Sequence, residues 1–140
     1  MLLNIIGYTA RPELFYVVQA IISAFFAILF LQSGIDKITD RKGNLEWLIG
    51  HFANSPLAKM VPMLLTIITL VEVLAGAASL IAVGEALVFK SFMLATTGTM
   101  LSAMAILMLF FGQRLAKDYE GAGNLVSYFI LAVINLYFLA

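Results

Sequence analysis

Residues 61–83 read VPMLLTIITLVEVLAGAASLIAV, a mostly apolar run interrupted at depth by one acid, Glu72. The run exceeds the roughly 20 residues that an α-helix needs to cross a hydrocarbon core. A carboxylate in such a helix costs several kcal/mol unless it is protonated or paired, so Glu72 marks a candidate functional site. Thr69, Glu72, Gly76 and Ser79 follow at three- and four-residue steps and so share one stripe of the helix. Small residues beside a carboxylate leave room for a neighbouring helix or a small ligand.

The rest of the chain has the same character. Of its 140 residues 63% are hydrophobic and 11% charged, with a mean hydropathy of +1.04. These values lie outside the range of soluble proteins and point to an integral membrane protein. A formal net charge of +0 argues against a nucleic-acid partner, which would need clustered Lys and Arg. The absence of cysteine excludes thiol exchange, iron–sulfur ligation and thioether haem attachment, and with them the thiol-oxidising four-helix membrane enzymes.

Working outward from residues 61–83, further apolar runs give four spans, at about 14–35, 57–83, 86–112 and 125–140. The expected fold is all-α, an integral membrane four-helix bundle forming one transmembrane domain over residues 1–140. Pro12 suits the first turn of span one, and Ser55 with Pro56 suits the start of span two. Gly84 and Glu85 read as the turn between spans two and three. A leader-peptide reading of residues 1–35 fails because the apolar core is too long and no small-residue cleavage site follows. Between spans one and two, Leu45, Leu48, Ile49 and Phe52 recur at helical spacing beside Trp47. This pattern predicts a short interfacial amphipathic helix over about 44–53, with Trp47 at headgroup level.

Lys37, Arg41, Lys42, Lys59, Arg114 and Lys117 fall in the first and third loops, against Arg11 and Lys90 on the other side. The positive-inside rule then places both termini outside the cytoplasm. Counting about 1.5 Å per residue puts Glu72 roughly 18 Å and Asn135 roughly 17 Å from the same face. Gln19 and Ser23 of span one, and Thr96, Thr97 and Thr99 of span three, fall near that level. One polar layer through the bundle is expected, containing Gln19, Ser23, Glu72, Thr96 and Asn135. Ser91, Ala95, Gly98, Ser102 and Ala105 form a small-residue stripe on span three. Lys90 is expected to extend to the interface rather than reach down to Glu72.

His51 is the only histidine, so no multi-histidine metal or haem site is available, and an interfacial surface position is expected for it. Phe25, Phe26, Phe30, Phe110 and Phe111 would admit a quinone or lipid groove, although such rings usually meet acyl chains. No intrinsic cofactor is expected.

The end of span one, Phe30-Leu31-Gln32-Ser33-Gly34-Ile35-Asp36-Lys37-Ile38, resembles the glycine-x-x-lysine signature that closes the first helix of the DoxX-like family of small membrane proteins. The resemblance continues through a polar loop with a tryptophan to Val71-Glu72-Val73-Leu74-Ala75-Gly76, a second helix with glutamate followed by glycine. It implies a four-helix protein of the bacterial inner membrane in which Gly34, Lys37, Glu72 and Gly76 are the matched positions. Relatives in that family include the membrane component of a thiosulfate:quinone oxidoreductase, so the resemblance does not select an activity. Two functions are carried forward. In the favoured one the chain is a noncatalytic accessory or scaffold subunit among other membrane protein subunits and lipids, with Glu72 a structural tie. In the alternative it is the membrane subunit of a quinone-linked oxidoreductase, with Glu72 the candidate catalytic group handling a proton. The sequence does not decide whether the chain is an enzyme.

Overall fold

A computed structural model describes residues 11–140, and among them the protein is helical with no strand. Helix α1 covers Pro12–Thr39, α2 Arg41–His51, α3 Val61–Gly84, α4 Met93–Leu115, α5 Tyr119–Asn124 and α6 Val126–Leu139. A π-helical turn, Glu85–Phe89, prolongs α3. Four helical stretches are long and apolar enough to cross a membrane: Pro12–Thr39, Val61–Phe89, Met93–Leu115 and Tyr119–Leu139. Residues 1–10, which the leader-peptide reading included, lie outside the described residues.

Several boundaries differ from the sequence expectation, each for a local reason. The second span begins at Val61 rather than 57, because Ser55 closes a tight turn instead of capping a helix: its Oγ donates to Phe52 O and accepts from Leu57 N. Pro62, not Pro56, occupies the first helical turn, where no N–H is required. Gly84 does not break the chain. The helix runs through it to Phe89, and the reversal comes at Lys90, whose φ of 53° is left-handed. Glu85, expected in a turn, instead holds the start of α4: Oε2 accepts from Leu94 N at 2.7 Å and Oε1 from Ser91 Oγ at 2.9 Å. A carboxylate there satisfies an orphan amide and complements the positive end of the helix dipole. Helix α2 starts at Arg41 rather than 44 because Asp40 caps it through Gly43 N.

The chain packs α1 on α3, α3 on α4 and α4 on α6, with α1 also against α4. Large apolar side chains such as Ile21, Leu70, Leu80, Ile81 and Phe111 face outward, whereas Gln19, Glu72, Ser79, Thr99, Ser102 and Asn135 are buried. Phe26 and Phe30 lie in the interior with Ile68, Ala75, Ala105, Ile106 and Ala132. Polar groups inside and apolar groups outside is the distribution expected of a protein whose surrounding solvent is lipid.

Two glycines set how closely α1 and α3 approach. A Cβ on Gly34 would lie 2.7 Å from Val73 Cγ2 and 3.3 Å from Val73 N; one on Gly76 would lie 2.7 Å from Leu31 Cγ and 2.8 Å from Leu31 N. Gly98 plays the same part between α4 and α3, facing Ser79. A methyl group at Gly34 meets one Val73 methyl with backbone beyond it at 3.3 Å, whereas at Gly76 it meets the Leu31 side chain and backbone together, both under 3.0 Å. We therefore expect Gly76→Ala to destabilise the fold by about 1–3 kcal/mol, the usual range for overpacking. Gly34→Ala should cost less. Thermal unfolding of the two variants in mild detergent tests this ordering, and equal melting temperatures would refute it.

Candidate functional site

The close approach of α1 and α3 brings a charged cluster into the interior. Glu72 is 1% exposed, and its Oε2 lies 2.9 Å from Lys37 Nζ. The contact is an ion pair set off the line of an aligned hydrogen bond. Glu72 Oε1 accepts from Ser33 Oγ at 3.1 Å, and Lys37 Nζ donates to Ser33 Oγ at 2.6 Å and to Ser33 O at 3.3 Å. Ser33 and Lys37 are one helical turn apart on α1, so both face Glu72. Lys37 also sits in the last turn of α1, where a cation complements the carbonyl end of the helix. Gly34 and Gly76 flank the cluster. The four residues singled out by the DoxX-like resemblance therefore meet at one helix crossing, and Ser33, which the sequence reading did not select, joins them.

A second buried cluster lies elsewhere. Gln19 Nε2 donates to Asn135 Oδ1 at 2.9 Å, Asn135 Nδ2 donates to Thr99 Oγ1 at 2.9 Å, and Thr99 Oγ1 donates to Ala95 O at 2.7 Å. This chain ties α1, α6 and α4 together, with Gln19, Asn135 and Thr99 each at most 2% exposed. Gln19 and Ser33 are 14 positions apart on α1, about 21 Å along the axis. The single polar layer expected from sequence is thus two separate nodes.

Other expected members of the layer are placed differently. Thr96 is half-buried and donates to Phe92 O, and Thr97 is exposed and donates to Met93 O. Both hydroxyls satisfy carbonyls of their own helix rather than crossing to a neighbour. Ser23 is buried on α1 between the two nodes. On α4, Ala95, Gly98, Ser102 and Ala105 are buried as one stripe, while Ser91 falls before the helix begins. Lys90 is exposed, 5.1 Å from the Tyr16 ring centroid, and takes no part in the Glu72 cluster.

His51, expected at an interfacial surface position, is largely covered there by its neighbours. Its side chain is 17% exposed; Nε2 lies 2.7 Å from Gln113 Oε1 and 3.7 Å from Asp118 Oδ2, and the ring stacks on Trp47 at 4.5 Å. Asp118 Oδ1 meanwhile caps α5 by accepting from Gly121 N. The pairing of His51 with Gln113, 62 positions away, fastens α2 to the end of α4 and could not be read from spacing. A pocket of about 340 Å³ lies beneath α2, with Lys37, Asn44, Trp47, His51 and Gln113 among its lining residues. Among the described residues no three of His, Asp and Glu come together as metal ligands.

Compared with protein-family models, curated proteins and solved structures, the chain shows no match.

Removing one member of a buried ion pair leaves the other charge uncompensated, which typically costs about 3–5 kcal/mol. Lys37→Met should lose about that much, since Glu72 has no route to water. Glu72→Leu should lose less, because the partly exposed Lys37 can extend toward the rim. The double variant should recover most of the single Lys37→Met loss. Unfolding of all three in detergent measures the coupling, and additive losses would show that the pair contributes nothing. Asn135→Leu strands the Gln19 amide and should cost about 0.6–1.7 kcal/mol, from the average to the maximum found for hydrogen bonds between membrane helices.

Proposed function

We propose that this chain is a DoxX-like integral membrane four-helix bundle that acts as a noncatalytic accessory or scaffold subunit of a larger membrane complex. The observation that carries the reading is the engagement of Glu72: Lys37 compensates its charge and Ser33 takes its second oxygen. A carboxylate held in this way fixes the register of two helices, the best-attested use of buried polar groups. The convergence of Gly34, Lys37, Glu72 and Gly76 at one crossing supports the family reading. It gives each matched position a physical task in the same contact.

On this reading α2 is the interfacial helix. None of its residues is buried, and Trp47 and Ile49 present large exposed apolar surface at the end of the bundle. The basic residues of the first and third loops then face the cytoplasm, in a bacterial inner membrane, with both termini on the opposite side.

The alternative, a membrane subunit of a quinone-linked oxidoreductase, draws on one observation. Lys37 contacts Glu72 and also lines the pocket beneath α2, so a proton held at Glu72 would have a neighbour at the pocket wall. Electrons would have to come from a partner, because the chain carries no cysteine and a single histidine.

Purification in mild detergent, with intact-complex mass spectrometry and extraction of bound quinone, tests the two together with Glu72→Gln. The scaffold reading expects a stoichiometric membrane complex without enriched quinone, and a Glu72→Gln variant that still assembles because its amide retains hydrogen-bonding capacity. Bound quinone together with turnover that Glu72→Gln abolishes would replace the scaffold reading with the oxidoreductase.

A further inference from the structure

The pocket beneath α2 has a wall and a rim of different chemistry. Val61, Leu64, Leu65 and Ile68 of α3 and Met108 and Leu109 of α4 supply an apolar wall. The polar lining groups are Lys37, Asn44, His51 and Gln113, contributed by the ends of α1 and α4 and by α2. At about 340 Å³ the space falls within the range of small-molecule sites, which are mostly apolar with a few placed polar groups.

Charge decides what kind of head the rim accepts. Among the described residues Lys37 is the only formally charged one in the lining, and it is neutralised by Glu72 at 2.9 Å. An anionic head could draw on Lys37 only by stripping Glu72 of its partner in the interior. A cationic head finds no carboxylate in the lining. Gln113 Oε1 is engaged by His51 Nε2 and the Gln113 amide nitrogen packs toward Gly121, so the rim's polar capacity comes from Trp47, which carries an indole N–H, and from Asn44, whose Nδ2 is spent on Asp36 O and Asp40 O but whose Oδ1 is not. A head bearing hydroxyl or carbonyl oxygens suits this rim.

We propose that the pocket binds a neutral single-tail amphiphile, its tail along α3 and α4 and its uncharged oxygen-bearing head beneath α2 at Trp47 and Asn44. The site goes beyond the scaffold role and rests only on the membrane placement of the helices. Retention of the protein in carbonate-washed membranes tests that placement separately.

Trp47, the single tryptophan of the chain, lines the pocket and reports on it directly. The full-length protein in phosphatidylcholine nanodiscs is titrated with a monoacylglycerol brominated in its acyl chain, and Trp47 fluorescence is followed. Saturable quenching is expected. Filling the pocket with Leu64→Phe plus Met108→Phe, or with Leu109→Phe alone, should weaken it by about tenfold or more, as misfit in an apolar pocket does. Variants are compared only where elution and helix content match the parent. Competition by unbrominated monoacylglycerol or by a long-chain isoprenoid alcohol distinguishes the two sources of a neutral head.

Quenching that rises linearly with bromolipid content and ignores the filling variants would reduce the effect to partitioning around an exposed tryptophan and overturn the site. Stronger saturable quenching by a brominated fatty acid at alkaline pH, or by brominated phosphatidylglycerol, would overturn the neutral-head assignment.

Discussion

The crossing of α1 and α3 is the constraint on which the other placements depend. Buried charge at Glu72 is tolerable only with Lys37 and Ser33 beside it, and those side chains reach it only because Gly34 and Gly76 let the backbones close to contact. The glycines and the charges are therefore one device. Without the close approach the ion pair would open; without the pair, α3 would carry an uncompensated carboxylate that no neighbouring helix could accept. The opposite end of α1 is held by a different device. The amides of Gln19 and Asn135 bring α6, which has few buried residues of its own, into register with α1 and α4. Two polar nodes about 21 Å apart along α1 fix its orientation more firmly than one layer would, because each resists rotation about the other.

Much of the architecture was legible in sequence because lipid imposes a coarse rule. A helix must be long and apolar to cross, and the four stretches that qualify among the described residues overlap the four expected, with ends shifted by up to seven residues. The importance of Glu72 was legible for the same reason, since a lone acid in such a run needs a partner. The identity of that partner was not legible from depth. Counting about 1.5 Å per residue puts Glu72 roughly 18 Å from the face, at the level of Gln19. The contacts Gly34–Val73 and Gly76–Leu31 instead set a register in which the first turns of α3 project past the end of α1. Glu72 then stands only about 6 Å from the level of Thr39, beside Lys37 and far from Gln19. Depth along one helix does not transfer to its neighbour unless both begin at the same plane, and here they do not.

The projecting end of α3 is also what creates the pocket. Helix α2 folds back over it, tied by Arg41 to Thr66 Oγ1 and by His51 to Gln113, and the space enclosed takes its apolar wall from turns of α3 and α4 that α1 is too short to cover. Neither tie follows a helical repeat. Each joins residues distant in sequence through side chains that, read singly, look like ordinary interfacial polar groups. Sequence reasoning expected a short helix over about 44–53, close to where α2 lies, but had no signal for what lay beneath it.

Lys37 belongs to both regions, and that shared membership links structure to binding. Its ammonium neutralises Glu72, so the charge that the pocket presents is fixed by the fold rather than free to answer a ligand. An anion recruiting Lys37 would expose Glu72 to the loss of a buried pair, about 3–5 kcal/mol, which is comparable to the whole affinity of a millimolar ligand. A neutral head incurs no such loss. Selectivity against anions therefore follows from the same ion pair that sets the helix register, with no repulsive group needed at the rim. Pairing Lys37 inward takes the one formal charge of the described lining out of play, which would leave the proposed site to the rim's hydrogen-bonding groups.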